Sequence, residues 1–185
     1  MAADRALRFD PITEARRQWR AHGWADAAEG MAAVTSIFRA QQIYLARVDA
    51  LLRPLGLTFA RYEVLMLLLF SRTGALPLSK VGSRLQVHPT SITNAVNRLE
   101  EQGLIARLPH PTDRRTTLAQ ITSAGRQLAE KATGAVNSQV FEQPGMDTEA
   151  VEALIGVLGQ LRRRSGDFAD ATATATAVGN GHGPV

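Results

Sequence analysis

The sequence predicts a mainly α-helical chain with one small β-hairpin, and three observations carry that expectation. Apolar residues recur at helical spacing through several long segments. Two short extended runs, LIARLP and TTLAQIT, flank the turn-forming stretch HPTDRR. Proline and glycine punctuate the chain where those helical patterns stop.

Taken in order, PITEARRQWRAHGW reads as a short helix closed by Gly23, with Trp19 and Trp24 flanking the break. From Ala27 to Arg53, Val34, Ile37, Phe38, Leu45, Val48 and Leu52 mark a long amphipathic helix, which RPLG ends. Thr58 is the expected N-cap of the next helix, FARYEVLMLLLF, whose apolar residues on nearly all sides place it in the core. SRTGALP reads as a loop, and in LSKVGSRLQV the residues Leu78, Val81 and Leu85 share one helical face.

The segment PTSITNAVNRLEEQG begins with Pro89 at the first helical position and stops at Gly103. Ile92, Ala95, Val96 and Leu99 form its inward stripe, while Thr90, Asn94, Asn97 and Glu101 project outward, flanked by Ser91, Thr93 and Arg98. After the hairpin, Thr122 or Ser123 caps a helix running to about Phe141, which QPGMD ends. A last helix from Thr148 to about Ser165 turns Val151, Leu154, Ile155, Leu158 and Leu161 inward. The tail ADATATATAVGNGHGPV is low-complexity and cannot build a core. The order helix, turn, helix, strand, loop, strand is that of a winged helix-turn-helix.

Composition narrows the function classes. With 185 residues and 45% hydrophobic content the chain can bury one sizeable core. Its longest apolar run, Val64–Phe70, is far short of the roughly 20 residues that cross a bilayer. A cytoplasmic location is therefore expected, with no membrane partner. The absence of cysteine excludes a disulfide framework, a thiolate metal site and a thiol redox switch. Four histidines scattered at His22, His88, His110 and His182 do not suggest a metal site, and no cofactor is expected.

The net charge of +4 is modest, but its distribution is informative. Between Leu78 and Thr122, Lys80, Arg84, Arg98, Arg107, Arg114 and Arg115 outnumber Glu100, Glu101 and Asp113 by three charges. Most of the excess thus lies in one quarter of the chain, as expected of a footprint on phosphate. Adjacent arginines at a hairpin tip repel each other and are best tolerated where something anionic will lie. The minor groove of DNA offers such a potential, and Asp113 is placed to hold one guanidinium before binding. On the second helix of the pair, Asn94 and Asn97 suit bidentate contact with adenine in the major groove. Thr90, Ser91 and Thr93 suit phosphates, bases or a thymine methyl. The N-terminus of that helix can also receive a phosphate.

From LTFARYEVLMLLL through LSKVGSRLQVHPTSITNAVNRLEEQGLIARLPHPTDRRTTLAQITSAGRQL the chain resembles the MarR family of winged-helix transcriptional regulators. The similarity covers roughly Leu57–Leu128, and NRLEEQGLI, PTDRR and ITSAGR are its most diagnostic parts. The resemblance implies that Arg115 is the arginine inserted into the minor groove, Asp113 its partner and Arg114 a neighbouring DNA contact. It also implies a recognition helix containing Pro89, Thr90, Ser91, Thr93, Asn94, Asn97 and Arg98. His88 and Pro89 stand where many relatives have an acidic cap and a polar residue, and Asn94 stands where arginine is common. A changed operator sequence and weaker phosphate attraction by this helix are the expected consequences.

The resemblance further implies a homodimer and a double-stranded, pseudopalindromic operator. On this reading residues 1–26 are a partly helical N-terminal extension, and 27–57 with 123–167 form the helical dimerisation region. Residues 58–122 form the DNA-binding domain, and 168–185 the low-complexity tail. Helices apolar on so much of their surface independently call for a cover that one winged-helix core cannot supply. Such a dimer reads half-sites about one helical turn apart.

Family members often bind aromatic or phenolic anions, or aromatic and acyl thioesters of coenzyme A, between the dimerisation helices and the winged helix. Tyr44, Arg47, Phe59, Arg61 and Tyr62 are the residues here that suit such a ligand, although Phe59 and Tyr62, on an apolar helix, suit the core better than a ligand contact. Arg16, Arg17 and Arg20 suit a phosphorylated ligand or DNA. A ligand-released repressor is the leading expectation, and the missing cysteine excludes the peroxide-sensing version. Two other classes compete. No nucleophile with a base, paired carboxylates or phosphate-cradling glycine loop supports an enzyme, so no catalytic residue is assigned. A winged helix serving as a protein-interaction module would need large apolar residues on the outward helix face, where Thr, Asn and Arg stand instead.

Overall fold

A computed structural model describes residues 7–85, 89–113 and 115–168, apart from the side chains of 89–91. The elements are α1 (Pro11–Ala21), α2 (Ala25–Leu52), α3 (Phe59–Leu69), β1 (Ala75–Pro77), α4 (Leu78–Leu85), α5 (Pro89–Glu101), β2 (Ile105–Pro109), β3 (Thr117–Ile121), α6 (Ser123–Val136) and α7 (Thr148–Arg164). The expected mainly α chain with a β-hairpin wing is what forms. The chain divides into two compact units, one ending at Val140 and one starting at Phe141.

In the first unit, α1 begins under an Asp10 cap whose carboxylate accepts from the Ile12 and Thr13 N–H groups at 3.0 and 3.3 Å. It folds back on α2 through Gly23, whose φ of 84° suits glycine. Arg16 and Arg20 both pair with Glu29 of α2, and the Trp19 and Trp24 rings meet edge to face with centroids 5.5 Å apart. Hydrogen bonds from Arg17 and then Gln18 hold the Glu14 carboxyl at a pKa of about 2.

The core gathers Val48 and Leu52 from α2, Val64, Leu65 and Leu68 from α3, Val81 from α4, and Ala129, Ala132 and Val136 from α6. All are nearly or fully buried, as the apolar sequence of α3 demands. Two side chains fix the start of that helix. Thr58 accepts from the Arg61 N–H, and the Asp49 carboxylate of α2 accepts from the Phe59 N–H at 3.2 Å.

The sheet has the order β1-β3-β2, antiparallel throughout. Ile105 pairs with Ile121 and Pro109 with Thr117 in the hairpin, while β1 aligns Ala75 with Gln120 and Pro77 with Leu118. The strand β1 corrects the reading of SRTGALP as a loop. It is a three-residue edge strand carrying Pro77, too short for any alternation to reveal.

The helix expected to continue to Phe141 is α-helical only to Val136 and closes with a π-helical turn over Asn137–Phe141. In the second unit, α7 has Asp147 as N-cap, with its carboxylate accepting from the Ala150 N–H at 2.8 Å. The stripe expected to face inward is not covered. No residue of α7 is buried, and Ile155 is 66% exposed, because the described part of its unit offers no second helix or sheet to pack on. The proposed tail, from residue 169 onward, lies outside the described residues, as does Met1–Ala6 of the N-terminal extension.

Candidate nucleic-acid interface

Helix α5 is held by its apolar stripe. Ile92, Ala95, Val96 and Leu99 are all buried, so the opposite face is fixed in orientation. On that face Thr93, Asn94, Arg98 and Glu101 are exposed and Asn97 is half-buried. The side chains of Pro89, Thr90 and Ser91, and His88 altogether, lie outside the described residues. Arg98 donates to the Glu101 carboxylate at 2.8 Å, one helical turn along the same exposed face.

The helix ends as its glycine predicts. Gly103 has φ 68°, its N–H donates to the Glu100 carbonyl at 2.8 Å, and the Leu104 N–H donates to the Leu99 carbonyl at 2.9 Å. This pair of bonds is a Schellman stop, sealed by the burial of both Leu99 and Leu104. It delivers the chain directly into β2. Thr122 then ties this corner to α6: its hydroxyl donates to the Gly103 carbonyl at 2.8 Å and accepts from the Gly125 N–H at 3.0 Å.

The wing is the β2–β3 hairpin. At its base the His110 N–H donates to the Thr116 carbonyl at 3.1 Å. At its tip the Asp113 carboxylate accepts from the Arg115 N–H at 3.0 Å and from the Thr116 hydroxyl at 2.6 Å. The His110 Nδ1 accepts from the Asp113 N–H at 3.2 Å. The Thr116 and then the Arg115 hydrogen bonds hold the Asp113 carboxyl below the ordinary carboxylate range.

This geometry corrects one expectation. Asp113 does hold Arg115, but by its backbone N–H rather than by its guanidinium, because in the tight turn that N–H and the Thr116 hydroxyl both lie within hydrogen-bond reach of the carboxylate. Arg115 is left exposed on the tip. Arg114 lies outside the described residues.

One contact was not foreseen. Arg107, on β2, reaches back to α5, where its guanidinium binds the Glu100 carboxylate and donates to the Asn97 Oδ1 at 2.5 Å. The sequence signal for it was only a basic residue shortly after the Gly103 stop. Its consequence is that the Asn97 amide oxygen is occupied, so the bidentate adenine contact expected of Asn97 is not open to it in this arrangement.

Four of the five residues considered for a small ligand form two pairs. The Arg47 guanidinium lies 5.8 Å from the Tyr44 ring centroid and donates to the Gln139 carbonyl at 2.7 Å. The Phe59 and Tyr62 rings lie 6.3 Å apart. Tyr62 is only 5% exposed, and its hydroxyl shares a 3.1 Å hydrogen bond with Thr133, which makes it a core residue in this arrangement. The Arg61 Nε donates to the Thr58 hydroxyl at 3.3 Å. Among the described residues no cluster of three metal-ligating side chains occurs, and no helix is long and apolar enough to cross a membrane.

Comparison with known proteins agrees with this architecture. The MarR family model matches residues 57–117, which run from the start of α3 into the wing. The structure of Sco5413, a MarR family transcriptional regulator from Streptomyces coelicolor, is similar at TM-score 0.70 and 50% identity, over 77% of this chain and 99% of that one. The organic hydroperoxide resistance transcriptional regulator of Bacillus subtilis is 37% identical over 118 residues, 62% of this chain and 79% of the relative. CouR from Rhodococcus jostii RHA1, solved bound to p-coumaroyl-CoA, is 28% identical with TM-score 0.60, over 68% of this chain and 87% of that one. These relatives are regulators of transcription rather than enzymes. The winged helix-turn-helix and the extent of these similarities together show that the chain belongs to the MarR family of transcriptional regulators.

Proposed function

We propose that this regulator is a cytoplasmic homodimeric repressor that binds a pseudopalindromic double-stranded operator and is released by a small anionic or aromatic ligand. The observation that carries the reading is the polar outward face of α5 beside a hairpin whose tip exposes Arg115. A helix with short hydrogen-bonding side chains fits the major groove, and an arginine on an adjacent hairpin fits the minor groove. Thr93, Asn94, Asn97 and Arg98 act on the first, with Pro89, Thr90 and Ser91 at the helix entry. Arg115 acts on the second, Asp113 shapes the turn that presents it, and Arg114, next to it in sequence, adds a further DNA contact.

The dimer is supported by apolar surface that each unit leaves open. Phe38 of α2 is 59% exposed, with Val34 and Ile37 beside it, and Ile155, Val157 and Leu161 of α7 are exposed in the second unit. Exposed apolar faces of this kind mark association surfaces. Ligand release is supported by the aromatic and guanidinium groups at Tyr44, Arg47, Phe59 and Arg61, with the Tyr62 ring 6.3 Å from that of Phe59. The CouR complex shows that a relative takes a hydroxyaromatic thioester. With no cysteine in the sequence, a thiol-oxidation trigger is unavailable to this chain.

The test is selection of the purified protein against random duplex DNA at physiological salt. An enriched inverted repeat with half-site centres about 10 base pairs apart is expected. The enriched duplex then serves to screen aromatic acids and p-coumaroyl-CoA for release. Absence of enrichment from a folded dimer, at low salt too, would overturn the reading.

A further inference from the structure

Resting on the reading of α5 as the major-groove helix, we infer that Arg107 is a specificity-positioning residue. By holding the Asn97 amide oxygen it leaves Asn97 a pure hydrogen-bond donor, which sets α5 to read guanine rather than adenine at one position of each half-site.

The chemistry of the two groups fixes the orientation. A guanidinium has donors only, so the atom of Asn97 that meets it must be the amide oxygen, and the Nδ2 amine is turned away. Arg107 cannot easily leave, because the Glu100 carboxylate binds the same guanidinium from one turn further along α5. Asn97 lies three residues after Asn94 and four after Thr93, so it belongs to the same outward stripe of the helix.

An unrestrained asparagine reads adenine by accepting from N6 and donating to N7. With its oxygen already held, Asn97 can only donate. Guanine presents two adjacent acceptors, N7 and O6, to such a group. Adenine presents one acceptor beside a competing N6 donor, and cytosine presents a donor. Arg107 stands on β2, outside the recognition helix, and so would influence base choice without touching a base. It is the only basic residue of β2, and its charge is already paired with Glu100.

The test uses the full-length protein and selection from random duplexes. Wild type is expected to prefer guanine over adenine by about tenfold at the position whose preference Asn97→Ala abolishes. Arg107→Met, which keeps the length of the aliphatic stem but frees the amide oxygen, is expected to shift that one position to adenine and leave the others as they were. Asn97→Asp, still held by Arg107 but now able only to accept, is expected to shift the same position to cytosine. A merely structural role for Arg107 would lower affinity evenly and would not change the identity of a preferred base.

Folded Arg107→Met with guanine still preferred, or a wild-type preference for adenine at that position, overturns the inference. If Arg107→Met does not fold by circular dichroism, Asn97→Asp decides alone: cytosine supports the inference and any other base overturns it. An enriched operator indifferent to Asn97→Ala overturns this inference but leaves the regulator reading standing. A wild-type protein that enriches no sequence overturns both.

Discussion

Gly125 lies so close to Leu104 that a β-carbon added to it would stand 2.1 Å from the Leu104 carbonyl oxygen and 2.9 Å from Ile121 Cγ1. The carbonyl belongs to the backbone of the Schellman stop and cannot swing aside like a side chain. Gly125→Ala must therefore push α6 away from the corner where α5 enters the wing. It is expected to destabilise the protein by about 3 kcal/mol, a shift of roughly 8 °C in Tm for a chain of this size. Thermal unfolding followed by far-ultraviolet circular dichroism checks this, and an unchanged Tm would show that the contact relaxes freely.

The two DNA-facing elements are expected to fail differently. Arg115→Ala removes a groove-bound charge, so operator affinity should fall roughly tenfold and the slope of log affinity against log salt should drop by about one. Asn94→Ala should instead alter which sequence is enriched while the salt slope stays. Binding measured at several salt concentrations separates the two, and an Arg115→Ala protein with wild-type affinity and slope would remove the wing from the interface.

Charge placed on the open apolar faces tests the dimer. Ile155→Glu on α7 and Phe38→Glu on α2 each alter a side chain that is exposed within its own unit, so neither has reason to unfold that unit. If the faces meet in a dimer, each variant should raise the dimer dissociation constant by at least about 100-fold. Sedimentation velocity reads this directly. Monomer for wild type, or dimer unaffected by both variants, would contradict the proposed assembly.

The wing tip should persist in acid. Asp113 is held below its ordinary pKa in the folded state, chiefly by the Thr116 hydroxyl and then by the Arg115 N–H. A carboxyl lowered in this way contributes stability that is fully present above its unfolded value and is lost only as pH falls through the lower folded value. A carbon-13 titration of the Asp113 carboxyl should therefore show a midpoint below the ordinary 3.8. Thr116→Val should raise that midpoint, and a midpoint indifferent to the substitution would refute the assigned cause.

Where the sequence was legible, local chemistry was in control. Pro89 and Gly103 bound α5, Thr58 and Thr122 cap α3 and α6, and the stripe Ile92, Ala95, Val96 and Leu99 is buried as its spacing requires. Three features escaped because they depend on residues distant in the chain or on competition within a turn. The edge strand β1 exists only through its pairing with β3, some 40 residues on. The contact of Arg107 with Asn97 needs the β2 strand to lie back along α5. Asp113 next to Arg115 in the turn suggests an ion pair with that guanidinium, yet the carboxylate serves the N–H of Arg115 and the hydroxyl of Thr116. The stripe on α7 was legible as apolar, but its periodicity could not tell whether the cover comes from the same chain.

The edge-to-face pair at the α1–α2 turn has a spectroscopic consequence. Trp19 and Trp24 are the only two tryptophans in the sequence, and they sit in one corner of the molecule. Indole emission from this protein is therefore a local probe. It will follow the opening of the N-terminal helical hairpin, whereas melting of the wing or insertion of α5 into a groove can proceed without a direct change in the surroundings of either fluorophore.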